Sequence, residues 1–335
     1  MSYKALALQL TCQSIHPCSN RDEAEAVMRQ RIDHIEKQLA ASISLLGRDT
    51  LLVTVPEFFL SGPPVNETVP EWREKAALDI NGPIYEALGA MVQRQQIYFA
   101  GNAYEQDPFF PELYFQTSFI IGPSGDVLLR YRRLNAVYTP TPHDVWQLYL
   151  DAYGYDSLFP VVKTNIGNLA CIASEDIMYP EVARCLAMRG AEVLLHSTSE
   201  NSSVRQTPRL VARLARAAEN MTYLVSANSA GVINSPVPAG SSDGGSTLVD
   251  PKGLVLAEAG YGESMTASAD IDLVALREFR QRPALNNMLA RQRYELYADS
   301  YTKTSVYPPD TLLSQPADRQ YFLKTQQDVI RKLYS

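Results

Sequence analysis

Apolar positions near the start of the chain change period, and each period predicts a different element. Ala5 to Leu10 reads as a strand. Met28, Ile32, Ile35, Leu39, Ile43 and Leu46 then recur at intervals of three and four, laying one apolar stripe along a helix. Ser19 is placed to cap that helix and Gly47 to stop it. Leu51 to Val55 follows as a nearly continuous apolar run ending in Pro56-Glu57-Phe58-Phe59. A run of that kind predicts a strand buried on both faces, in a sheet covered by helices.

Further along, Tyr98 to Tyr104, Gln116 to Ile121 and Val127 to Tyr131 read as strands, the last two joined through the turn Pro123-Ser124-Gly125-Asp126. Asn135 to Pro160, rich in proline and tyrosine, predicts a long irregular and functional segment. A βαβαβ series comes next. Its parts are strand Leu169 to Ala173, helix Pro180 to Arg189 stopped by Gly190, strand Glu192 to His196, a helix opening at Thr207-Pro208, and strand Met221 to Ala227. Such a series implies right-handed crossovers within one sheet. Gly245 to Ala257 reads as a hairpin around Asp250-Pro251-Lys252-Gly253. Without a repeat or linker to divide it, the chain predicts a single α/β domain over residues 1–282. Residues 283–335 form an extension expected to pack on the domain or on a neighbouring subunit.

Composition narrows the function classes. Of 335 residues, 46% are apolar and 20% charged, which suffices for a core. The formal charge of −7 argues against a nucleic-acid-binding surface. The one dense basic cluster is Arg130, Arg132 and Arg133. The absence of a membrane-length apolar run or a signal-peptide layout predicts a soluble, cytoplasmic protein with no membrane partner. Four scattered cysteines do not make a disulfide scaffold. With His16, His34, His143 and His196 they show no zinc spacing, so no metal is expected.

Several segments resemble the nitrilase, or carbon–nitrogen hydrolase, superfamily, in that family's order. Ala5-Leu6-Ala7-Leu8-Gln9 resembles its first strand, and Val55 to Gly62 the Pro-Glu segment that supplies its general base. Gly125 to Leu134 resembles the hairpin that ends in its catalytic lysine. Ser174-Glu175-Asp176-Ile177-Met178-Tyr179-Pro180-Glu181 resembles the nucleophile elbow, where the family has Cys-x-Asp before an aromatic-Pro-Glu. Arg189 to Val193, Ala218-Glu219-Asn220, Ala227 to Gly231 and Gly244-Gly245-Ser246 complete a match over residues 3–275. The resemblance implies a four-layer αββα sandwich, a homodimer or larger homo-oligomer, and no cofactor. The implied substrates are small-molecule amides, nitriles or N-carbamoyl compounds, processed through a covalent acyl-enzyme. The implied catalytic set is Glu57, Arg133 and Ser174, with serine and arginine standing where the family has cysteine and lysine.

Each of these positions has a structural reading beside the chemical one. Glu57, between a buried strand and two phenylalanines, would have a raised pKa suited to a base, or would serve as an ion-paired structural carboxylate. Arg133 can hold an oxyanion or a substrate carboxylate, or can neutralise Glu57 and lower its pKa. Arg132 is the alternative if the register is off by one. A serine hydroxyl is far less acidic than a thiol and needs a partner. His196, at the end of the next strand, is the candidate that topology brings near, or is simply a polar residue closing a strand. Cys171 lies three positions from Ser174 and reads as a small buried residue. Asp144, beside His143, is the loop's only stand-in for the family's second glutamate. Glu181 is explained by the helix dipole. Trp146, Glu175, His196 and the polar loop Ser197 to Ser203, with Glu200 and Asn201, are expected to line the substrate pocket. The leading expectation is an amide or nitrile C–N hydrolase or acyltransferase with an altered Glu-Arg-Ser set. The alternative is a catalytically silent relative that binds a small ligand or a protein partner.

Overall fold

The computed structural model describes residues 2–201, 207–313 and 317–334. Its strands in chain order are β1 (Ser2–Ala7), β2 (Cys12–Gln13), β3 (Thr50–Thr54), β4 (Tyr98–Gln106), β5 (Tyr114–Ile121), β6 (Val127–Arg132) and β7 (Val162–Thr164). There follow β8 (Gly167–Ala173), β9 (Val193–Thr198), β10 (Tyr223–Asn228), β11 (Val232–Ile233), β12 (Thr247–Val249), β13 (Val255–Glu258) and β14 (Ser268–Asp272). The helices are α1 (Arg21–Leu46), α2 (Val69–Ala76), α3 (Pro83–Gln95), α4 (Trp146–Tyr153) and α5 (Pro180–Met188). They continue with α6 (Pro208–Asn220), α7 (Leu273–Gln281), α8 (Glu295–Lys303) and α9 (Arg319–Tyr334).

Among the described residues the strands form two six-stranded sheets, ordered β14-β1-β3-β4-β5-β6 and β13-β12-β10-β9-β8-β7, besides the short β11-β2 pair. Each sheet has a parallel centre, β1, β3 and β4 in one and β8, β9 and β10 in the other. Side-chain alternation builds the layers. In the first sheet Ala5, Ala7, Leu52, Ala100 and Ile120 face the second sheet, whereas Leu6, Val53, Phe99, Phe119 and Ile121 pack under α1, α2 and α3. On the far side α5 and α6 cover the second sheet through Val182, Leu186, Ala212 and Ala217. The result is the expected αββα order.

Local rules explain most boundaries, and three depart from expectation. Asn20, not Ser19, caps α1, its side chain accepting the Glu23 N–H; Gly47 stops the helix as expected. Within Asn135 to Pro160, Trp146–Tyr153 is helical, because Tyr149 and Val145 bury against Phe110 and Phe115 and supply an apolar face. The last central strands run one or two residues further than their apolar cores, to Thr198 and Asn228, which carries polar groups to the sheet's carboxyl edge. Gly89 lets α3 lie directly on the turn before β6: a Cβ there would stand 2.5 Å from the Gly125 carbonyl oxygen. No helix among the described residues is long and apolar enough to cross a membrane.

Beyond residue 282 the chain returns to the segment after β6. Thr311 Oγ1 donates to Asp144 at 2.7 Å, and the Leu312 N–H donates to the Asp144 carbonyl at 2.9 Å. Leu312 and Phe322 join Phe110, Phe115, Val145, Tyr149 and Leu158 in a separate apolar cluster.

Candidate active site

Three chain reversals at the carboxyl ends of central strands bring the site together. After β3 the chain turns through Glu57, followed by Phe58 at φ +62°; after β8 it turns at Ser174, at φ +46°. Neither phenylalanine nor serine favours the left-handed region, and such residues persist where the surrounding structure over-determines them. The third reversal follows β9, where Thr198 leads to Glu200.

Glu57 is 1% exposed. It accepts a hydrogen bond from Gln116 Nε2 at 2.6 Å, and the Ser174 hydroxyl lies close enough to pull its pKa down. Arg133 Nη1 stands 3.4 Å from the same carboxylate. Burial raises the Glu57 pKa; Arg133, the Ser174 hydroxyl, Arg209 and Gln116 each pull it down without cancelling the rise. Both expectations about this glutamate are thus present, and desolvation outweighs neutralisation.

The register at the end of β6 is the first of the two considered. Arg132 turns away to Asp107 and is stacked among Phe115, Tyr149 and Tyr153. Arg133 faces Glu57, and each of its nitrogens has a partner. Nε donates to the Asn135 carbonyl at 2.7 Å, Nη1 to Gln116 Oε1 at 2.7 Å, and Nη2 pairs with Glu175 at 2.7 Å. Asp176 holds the backbone beside Arg133. It accepts from the Leu134 and Asn135 N–H groups, each at 2.9 Å, and from Tyr131 Oη at 2.6 Å.

His196 does not serve the Ser174 hydroxyl. Its Nε2 lies 2.9 Å from the Ser174 carbonyl oxygen and its Nδ1 2.8 Å from Ser226 Oγ. A carbonyl only accepts, so Nε2 carries the proton and the neutral ring props up the elbow's backbone. Burial holds its pKa well below the usual value, assisted by Arg213 and Arg209. Asp144 is likewise committed elsewhere, accepting from Thr141 and Thr311; the carboxylate that reaches Arg133 besides Glu57 is Glu175. Cys171 is buried between the sheets, where burial pushes its thiol pKa up.

Glu175, Asp144 and Trp146 line one cavity of about 650 Å³, together with His143, Tyr179 and Tyr307. Glu200 pairs with Arg213 and stands 3.9 Å from Arg209 Nε. Asn201 is exposed beside it, while Ser202 and Ser203 of the anticipated polar loop lie outside the described residues. Sequence reasoning missed Gln116 and Arg209. Arg209 Nη1 is 3.4 Å from Ser174 Oγ and 3.1 Å from Thr198 Oγ1. Its one sequence signal is a cation in the first turn of a helix, where the dipole disfavours it. Among the described residues no group of His, Cys, Asp and Glu is arranged to hold a metal ion.

The arrangement places a buried, proton-accepting carboxylate against a hydroxyl on a sharp turn, with two guanidiniums close by. Comparisons with known proteins address the family and the fold. The carbon-nitrogen hydrolase family model matches residues 22–281. Omega-amidase NIT2 of Homo sapiens is 28% identical over 247 residues, covering 74% of this chain and 84% of its own. Omega-amidase NIT3 of Saccharomyces cerevisiae is 24% identical over 252 residues, covering 75% and 84%. A carbon-nitrogen hydrolase structure from Helicobacter pylori superposes with a TM-score of 0.68 at 21% identity, over 90% of this chain and 99% of that one. The structure of Saccharomyces cerevisiae Nit3, a member of branch 10 of the nitrilase superfamily, gives 0.63 at 20%, over 85% and 95%. These two likenesses speak for the fold, and the family match for ancestry. The chain belongs to the carbon-nitrogen hydrolase family.

Proposed function

We propose that the protein cleaves the C–N bond of a small-molecule amide, N-carbamoyl compound or nitrile by acyl transfer. Ser174 is the nucleophile, Glu57 the general base and Arg133 the cation that orders the carboxylates around them. The observation that carries this reading is the fully buried Glu57 carboxylate, its pKa raised by burial, beside a serine held on a left-handed turn after a central strand. A carboxylate so placed is a better proton acceptor than an exposed one. The omega-amidase names of the relatives support an amide as the substrate. The cavity beside Glu175, walled by Trp146, Tyr179 and Tyr307, suits a substrate with a flat or apolar portion.

A second reading, a silent homologue that binds a ligand, draws on Arg133. All three of its nitrogens are engaged by protein groups, which leaves it poorly placed to receive an oxyanion. Intact-protein mass spectrometry separates the two. The protein and Ser174→Ala would be incubated with amides, N-carbamoyl amino acids and nitriles. An acyl adduct or ammonia release that needs Ser174 supports the hydrolase. Neither product across the panel, with a ligand still bound by both proteins, would establish the silent homologue.

A further inference from the structure

A serine in place of a thiol leaves the acyl-transfer reading short of an activating group, and His196 is turned to the backbone. The cation in contact with the Ser174 hydroxyl is Arg209, through Nη1 at 3.4 Å. Its placement runs against three local preferences. It sits second in α6, after the Thr207 cap and Pro208, at the positive end of the helix dipole. Arg213, one turn on and buried, repels it. The carboxylate both share, Glu200, is taken closely by Arg213 and lies 3.9 Å from Arg209. Beside these costs Arg209 gains a hydrogen bond to Thr198 Oγ1 at 3.1 Å, and local rules broken together mark functional positions.

Resting on the acyl-transfer reading above, we propose that Arg209 is a catalytic residue that activates Ser174, its guanidinium polarising the hydroxyl whose proton Glu57 takes. Arg209 Nη1 donates toward Ser174 Oγ, with Glu57 as the base of the acyl-transfer reading, and a neighbouring positive charge stabilises the developing alkoxide. As the bond from Oγ to the carbonyl carbon forms, the Ser174 proton passes to Glu57 and the carbonyl π pair moves onto oxygen. Glu57 returns that proton to the leaving nitrogen as the C–N bond breaks. Water then attacks the ester, giving a proton to Glu57 that goes back to Ser174 as the acid departs. Arg209 gives up no proton at any point, in keeping with a group that stays charged throughout.

The test uses 4-nitrophenyl acetate as a general acyl donor and follows acetyl-Ser174 formation by intact mass, with thermal melts as the folding control. The parent is expected to acquire one acetyl group. Arg209→Gln is expected to acquire it about 10²-fold more slowly, the size of effect seen when one charge-stabilising donor is removed. Arg209→Lys, which keeps a cation without the fork, should fall between them, and added ethylguanidinium should accelerate Arg209→Gln alone. Equal rates for parent and Arg209→Gln overturn the role of Arg209 and leave acyl transfer standing. A slow variant that ethylguanidinium does not restore assigns Arg209 to holding the turn, which also overturns it. An unlabelled parent removes the acyl-transfer reading itself, and this inference with it.

Discussion

At the scale of single residues the candidate site depends on the protonation state of Glu57. Burial favours the neutral form of Glu57, so its folded pKa lies above the unfolded value of about 4.3. The stabilisation from this group is therefore complete below that value and is lost as pH rises through the folded pKa. Glu57→Gln keeps the shape and removes the titration. The melting temperature of the variant minus that of the parent should grow as pH is raised from 4 to 8, as differential scanning fluorimetry would read. A gap that stays constant would mean that Arg133 holds Glu57 ionised throughout. Glu57, Arg133 and Ser174 were all legible in the sequence because short motifs surround them. Gln116 and Arg209 were not: one is a polar side chain inside a strand, the other an arginine on an amphipathic helix, and neither has a local pattern that tells contact from solvent exposure.

Individual elements show backbone contact overruling propensity. Replacing a mid-helix glycine with alanine ordinarily stabilises a helix by about 1 kcal/mol. Gly89→Ala should instead destabilise the protein by about 1–3 kcal/mol, because the new methyl meets a carbonyl oxygen that cannot swing aside. Urea unfolding gives the sign directly, and a gain in stability would show that α3 can lift off the turn at no cost. Periodicity located α1, apolar runs located β3, β8 and β9, and the Gly190 stop and the Thr207-Pro208 cap located α5 and α6. These signals missed α4, since Trp146, Tyr149 and Tyr153 owe their helical face to rings contributed by distant parts of the chain. The cap of α1 was misplaced by one residue, Ser19 and Asn20 both being good caps and only geometry choosing between them.

For the whole molecule, the relation between the sandwich and its last fifty residues matters most. Phe322 is buried in a cluster with Phe110, Phe115 and Tyr149, and Phe322→Ala should cost about 3–5 kcal/mol locally. Hydrogen exchange is expected to quicken in α4 and the turn before it while α1 and α3 keep their protection. Uniform loosening of both regions would show instead that the cluster unfolds with the core. The four-layer αββα arrangement followed from the sequence once the family's motifs were recognised. The docking of the last helix did not, because α9 carries only a short buried face, Phe322 and Thr325. Its Gln326 lines the cavity beside Glu175 and donates to the Val137 carbonyl, and Thr311 ties Asp144 in place. The far end of the chain is in this way one wall of the cavity beside Glu175. On the acyl-transfer proposal, exchanging residues 304–334 between related chains should change which substrates are accepted while leaving Glu57, Ser174 and Arg209 untouched, a route to altered selectivity that begins at the far end of the chain.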